Sequence, residues 1–151
     1  VSYATINAAI KTLLEGVSGI GRVHAYDRWV KSKEEIKQEL YHENSRRLHA
    51  WMISRFKLEE ADASKSHNDT RHHIRLRGVY AHNDADASET AFQALVDSVC
   101  AAIRADFDLG GTSKYTTPPA APVIDLRSIA GVLCHHCEIH LVVTETNAWS
   151  E

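Results

Sequence analysis

The chain has 151 residues, of which 44% are hydrophobic and 25% charged, with a net charge of −3. That length suits one domain able to bury roughly 70% of the surface its unfolded chain exposes, and the composition excludes a largely disordered chain. Charge is unevenly placed: residues 1–80 carry 14 Lys/Arg against 10 Asp/Glu and residues 81–151 carry 3 against 10, so the halves hold +4 and −7.

Tyr3, Ile6, Ile10, Leu13, Leu14 and Val17 recur at three- and four-residue spacing, which predicts an amphipathic first helix capped by Ser2. Gly16, Gly19 and Gly21 follow it. They read as a helix stop, because a phosphate-cradling loop would follow a strand and precede a helix. Val23 to Val30 reads as extended. Ser32 with Glu35 forms a capping box for a short second helix through Ile36 and Leu40.

From Ala50 to Leu58 the period changes to two. Met52, Phe56 and Leu58 fall on one side of this strand, and Trp51, Ile53, Arg55 and Lys57 on the other. Residues 59–71 are polar and read as a flexible loop or an extended hairpin tip. A second strand runs from His72 to His82, with Ile74, Leu76 and Tyr80 inward and His73, Arg75 and Arg77 outward. The two strands should pair antiparallel.

Asp86 and Glu89 suggest a second capping box, ahead of a long helix whose stripe is Phe92, Leu95, Val96, Val99, Ile103 and Phe107. Gly110 and Gly111 should end it. Residues 110–122, with Pro118 and Pro119, read as a second flexible excursion. Val123 to Ile129 suggests a short strand, Cys137 to Thr144 a closing one, and a polar tail surrounds Trp149. These elements predict a single α+β domain with a mixed, mainly antiparallel sheet flanked by helices.

The sharpest chemical motif is Cys134, His135, His136 and Cys137 with His140 three residues on, a spacing at which thiolate and imidazole can approach zinc. Strand alternation opposes it, since Cys137 would point away from His136, Glu138 and His140. Those three alternate residues would span about 13 Å, too far to ligate one ion together. The odd cysteine count disfavours a disulfide framework, and Cys100 falls on the helical stripe as a small hydrophobe. No G-x-S-x-G, Walker or H-E-x-x-H pattern occurs. The residues therefore point to no catalytic residue, cofactor or metal, with a small zinc-dependent protein using Cys134, Cys137 and His140 as the alternative of a different class.

Arg55, Lys57, Arg75 and Arg77 would form one basic face if their strands pair, and like charges so close need compensation. Candidate compensators are Asp84, Asp86, Asp106 and Asp108 of a neighbouring subunit, the chain's own Glu59 and Glu60, or nucleic-acid phosphates. The start of the chain lacks a signal-peptide pattern and no apolar run is long enough to span a bilayer, which predicts a soluble protein made in a reducing cytoplasm.

The succession of elements resembles the tailed-bacteriophage tail terminator and tail-completion (neck) proteins. The resemblance lies chiefly in Arg46-Arg47-Leu48-His49-Ala50-Trp51 leading into Ser54-Arg55-Phe56, and in the closing His136 to Glu145 segment. It implies a virion protein that forms a hexameric ring on the last ring of tail tube protein. There it would end tube polymerisation and meet a head-completion or connector protein, with DNA passing through the lumen unbound. Such a role is structural, not enzymatic. The basic and acidic residues named above would then lie at subunit or ring-stacking contacts.

Overall fold

The computed structural model describes residues 2–28, 32–62, 64–111, 113 and 115–148. Helix α1 (Tyr3–Glu15) begins where Ser2 Oγ accepts the Thr5 N–H, and its Ile6, Ile10 and Leu14 are buried. Strand β1 (Arg22–His24) is short; of the rest of the expected extended segment, Ala25 to Arg28 are not strand, and Trp29 and Val30 lie outside the described residues. Helix α2 (Lys33–Leu40) starts at Ser32, whose Oγ accepts the Glu35 N–H at 3.1 Å. Strands β2 (Tyr41–His42), β3 (Arg47–Asp62) and β4 (His67–Ala81) follow.

Helix α3 (Ser88–Ala105) buries Phe92, Leu95, Val96, Val99 and Ile103. The expected Asp86/Glu89 box does not form there. The helix starts at Ala87 in a left-handed conformation, without a side-chain cap. Asp86 instead lies in a preceding 3-10 turn and pairs with Arg47. Phe107 falls beyond the last helical turn and is 60% exposed, so the stripe ends at Ile103. Strands β5 (Tyr115–Thr116), β6 (Ala120–Ile129) and β7 (Val132–Ala148) complete the chain.

Among the described residues the seven strands form one sheet in the order β1-β3-β4-β7-β5, with β2 also on β3 and β6 also on β7. Only β1 pairs parallel, so the sheet is mixed and mainly antiparallel, and the fold is α+β. One face is covered by α1 and α3. Its core joins Ile6, Ile10 and Leu14 to Trp51, Ile53, Ile74, Leu76, Ile139 and Leu141 and to Phe92 and Val99. Gly78 lies directly opposite Trp51, and a Cβ there would meet the indole at 2.8 Å, so the bare backbone makes room for the largest core side chain. The other face carries a smaller cluster of Leu40, Leu48, Ala50, Met52, Val79, Ile129 and Cys134 under α2. Beyond that cluster no described helix covers this face, which we term the open face.

Of the two readings of residues 59–71 the extended hairpin tip is the one that forms, and the expected loop at 110–122 is partly strand. Residues 59–62 and 67–71 continue the β3–β4 ladder from Glu59↔Arg71 to Asp62↔Asn68, leaving 63–66 as the connection. Polar side chains do not prevent pairing, since the ladder is made by the backbone. Likewise residues 115–116 and 120–122 join the sheet along β7. Pro122 sits on the outermost strand within a register shift between Ala120 and Val123, a position where a missing N–H costs the inner ladder nothing.

Candidate functional site

A register shift between Arg55 and Lys57 sets the geometry of the open face. Arg55 pairs with Ile74, Lys57 with His73, and Phe56 is the extra residue of a bulge. Strand alternation is thereby reversed. Lys57 joins His73, Arg75 and Arg77 on the open face, whereas Arg55 and Leu58 turn to the helix-covered side. The expected single basic face is thus corrected: Arg55 is not part of it. Strict alternation cannot reveal an inserted residue.

On the helix side, the Arg55 guanidinium lies 4.6 Å from the Tyr3 ring centroid and Nη1 donates to His72 Nδ1 at 3.2 Å. That assigns the His72 proton to Nε2, which donates to Glu145 Oε1 at 3.1 Å. Both His72 and Glu145 are buried. The Arg55 charge is therefore used within the chain.

On the open face, Asp27 Oδ2 lies 3.7 Å from Arg75 and 3.6 Å from Arg77, and Glu138 lies 3.7 Å from Arg77. Neither arginine stands directly opposite a cation: Arg75 pairs with Ser54 and Arg77 with Met52. Compensation is therefore internal, and it comes from Asp27 and Glu138, which the sequence reading had not assigned to it. Burial raises the Glu138 carboxyl, yet the His140 hydrogen bond and the Arg77 and Arg75 charges outweigh it and hold it below the usual range. Lys57 and His73 both reach Glu59, one of the two expected partners. Phe56 lies exposed among them, its ring 5.0 Å from His140 and 6.0 Å from His73.

The four aspartates do not form one acidic patch. Asp84 and Asp86 precede α3, and Asp106 and Asp108 follow it, so about 27 Å of helix separates the pairs. Asp106 Oδ1 accepts the Gly110 N–H at 2.9 Å.

The Cys/His motif is divided by β7. Cys134 packs in the α2 cluster and Cys137 in the main core, on opposite faces of the sheet. Burial pushes their thiols up to about 11 and about 12, so neither is ready to supply a thiolate. Among the described residues no three His, Cys, Asp or Glu side chains converge as metal ligands. His136 is buried, which lowers its affinity for a proton more than the Asp125 hydrogen bond raises it. We assign it as a neutral ring whose Nδ1–H donates to Asp125 at 2.9 Å. Ser88 Oγ and His135 Nε2 stand 2.8 Å apart, but Ser88 is only 1% exposed and also accepts the Asn83 N–H. A substrate could not reach that hydroxyl.

What remains accessible is surface. The exposed large hydrophobics include Phe56 and Leu58 on β3 and Ile124 and Leu126 on β6, at opposite sides of the sheet. A hollow of about 300 Å³ beside β6 is lined by His82, Phe92, Ile124, Leu126 and His135. No described helix is long and apolar enough to cross a membrane. No protein-family model and no curated protein sequence matches the chain.

Proposed function

We propose that this chain is a ring-forming structural subunit of a tailed-bacteriophage particle, a tail terminator or tail-completion protein. Its ring, a hexamer, sits at the head-proximal end of the tail, ends polymerisation of the tail tube protein and offers a surface to the head-completion or connector protein. DNA passes through the lumen without specific contacts, and no bond is made or broken.

One observation carries this reading beyond the resemblance. The sequence order of charge becomes a spatial order. The strands of the basic half, β1 to β4, occupy one side of the sheet, and those of the acidic half, β5 to β7, occupy the other. A subunit with unlike flanks favours head-to-tail contacts, which close into a ring when the rotation allows. Lys57, Arg75 and Arg77 on the open face and Arg55 behind it belong to the basic flank. Asp84, Asp86, Asp106 and Asp108 belong to the acidic half.

Sedimentation and negative-stain imaging of the purified chain test the proposal. Annular particles with a central hole, whose mass is a small multiple of the 16.9 kDa chain, are the expected result. Immunogold labelling should place the chain where tail meets head; a label along the whole tube, or none on the particle, would overturn the assignment. A molecule that stays monomeric at high concentration would remove the ring.

A further inference from the structure

We propose that neighbouring subunits join by strand addition, the free edge of β6 in one copy pairing antiparallel with the free edge of β3 in the next. This rests on the ring reading and names the contact that closes the ring.

Among the described residues, β3 has β2 and β1 beside Arg47 to Met52, but Ile53 to Asp62 has a partner only on the β4 side. β6 pairs with β7 and has nothing on its other side. Ile53 is fully buried, so the accessible edge of β3 runs from Ser54 to Asp62, and that of β6 lies within Ala120–Ile129. An unpaired strand edge is a row of open donors and acceptors, ready to pair with another chain. Following the ladders from β3 through β4 and β7 to β6 reverses direction three times, so β3 and β6 run oppositely. Copies set side by side with the same face outward therefore meet antiparallel.

The phase of β6 is fixed by its hairpin. Ala130 and Gly131 both have positive φ and form a two-residue turn whose flanking pair, Ile129 and Val132, is hydrogen-bonded. Alternation then directs the N–H and C=O of Ile124, Leu126 and Ser128 outward. Pro122, with no N–H to give, ends the usable run.

One register matches the side chains. Leu58 opposite Ile124 brings together two exposed apolar residues on the helix-covered side. Lys57 then stands opposite Asp125 on the open side, an opposite-charge pair. The bulge at Phe56 keeps the faces matched beyond it, with Arg55 opposite Leu126 and Ser54 opposite Arg127. The Lys57–Asp125 pair thus joins a residue of the basic half of one subunit to a residue of the acidic half of the next.

A charge exchange tests the contact. Lys57→Asp and Asp125→Lys should each raise the concentration needed for ring assembly by about tenfold or more, since attraction at every contact becomes repulsion. An equimolar mixture of the two variants should assemble again, because each like-charged edge then meets its opposite while contacts within each chain are unchanged. Leu126→Pro removes the outward N–H that faces Arg55 of the neighbouring copy without touching the β7 ladder, and should abolish rings while circular dichroism and thermal midpoint stay as in the parent. Rings that persist in all three variants would overturn strand addition and leave the ring reading intact. A parent chain that never forms rings would overturn both. Single variants that lose rings but are not rescued by mixing would overturn the register.

Discussion

The two faces of the sheet are built from the same strands and are put to different use. On the helix-covered side Trp51, Ile74, Leu76 and Ile139 are fully buried, and apolar packing against α1 and α3 supplies the stability. On the open side, beyond the α2 cluster, the intervening residues Arg75, Arg77, Glu138 and His140 are half-buried and hold one another through ion pairs. One face is committed to the fold. The other has no apolar cover beyond that cluster among the described residues, and its charges are balanced by ion pairs within the chain.

The sharpest way to break this contrast is through the committed face. Phe92→Ala removes a ring stacked near Trp51, Tyr80 and His135 and should cost about 3–5 kcal/mol in urea unfolding.

Acid should weaken the same region. His49 is buried, burial lowers it to about 4 ahead of the nearby His42 and Arg47 charges, and neither ring nitrogen has a hydrogen-bond partner. Its folded value lies below its unfolded one, so the unfolded chain takes up the proton first. The stability it contributes is present above about pH 6.5 and is lost as pH falls toward 4, in total about 3 kcal/mol. His49→Phe should flatten that part of the stability profile.

Gly78→Ala drives a methyl into the Trp51 ring and should cost about 1–3 kcal/mol by the same assay. Asp27→Asn reads the open face. It leaves Arg75 and Arg77 with less compensation, and should cost only about 0.5–1 kcal/mol, an effect that shrinks further in high salt. If Asp27→Asn proved as damaging as Phe92→Ala, the division of labour between the faces would be wrong.

Much of the committed face was legible in the sequence. The four-residue spacing of Ile6, Ile10 and Leu14, the stripe from Phe92 to Ile103 and the alternation of Ile74 and Leu76 each follow from one local rule. The Ser2 and Ser32 caps did too. The candidate contact surface was less legible, because its determinants are nonlocal. Asp27 and Glu138 reach Arg77 from segments more than a hundred residues apart. Polar residues 59–71 left a loop and a hairpin tip equally open because hydropathy carries no record of ladder pairing. Arg55 was assigned to the wrong face because its neighbour Phe56 occupies a position with no counterpart on β4.

That unmatched residue bears on how the chain tolerates changes of length. Exposed hairpins ordinarily accept a gained or lost residue at little cost, and this ribbon invites the same assumption. Excising Phe56 would join Arg55 directly to Lys57 and restore a regular ladder, with Lys57 still opposite His73, Leu58 still opposite His72 and every later side chain of β3 on its present face. Loss of Phe56 should accordingly be as forgiving as loss of a residue between 63 and 66, even though it lies in the middle of a long strand.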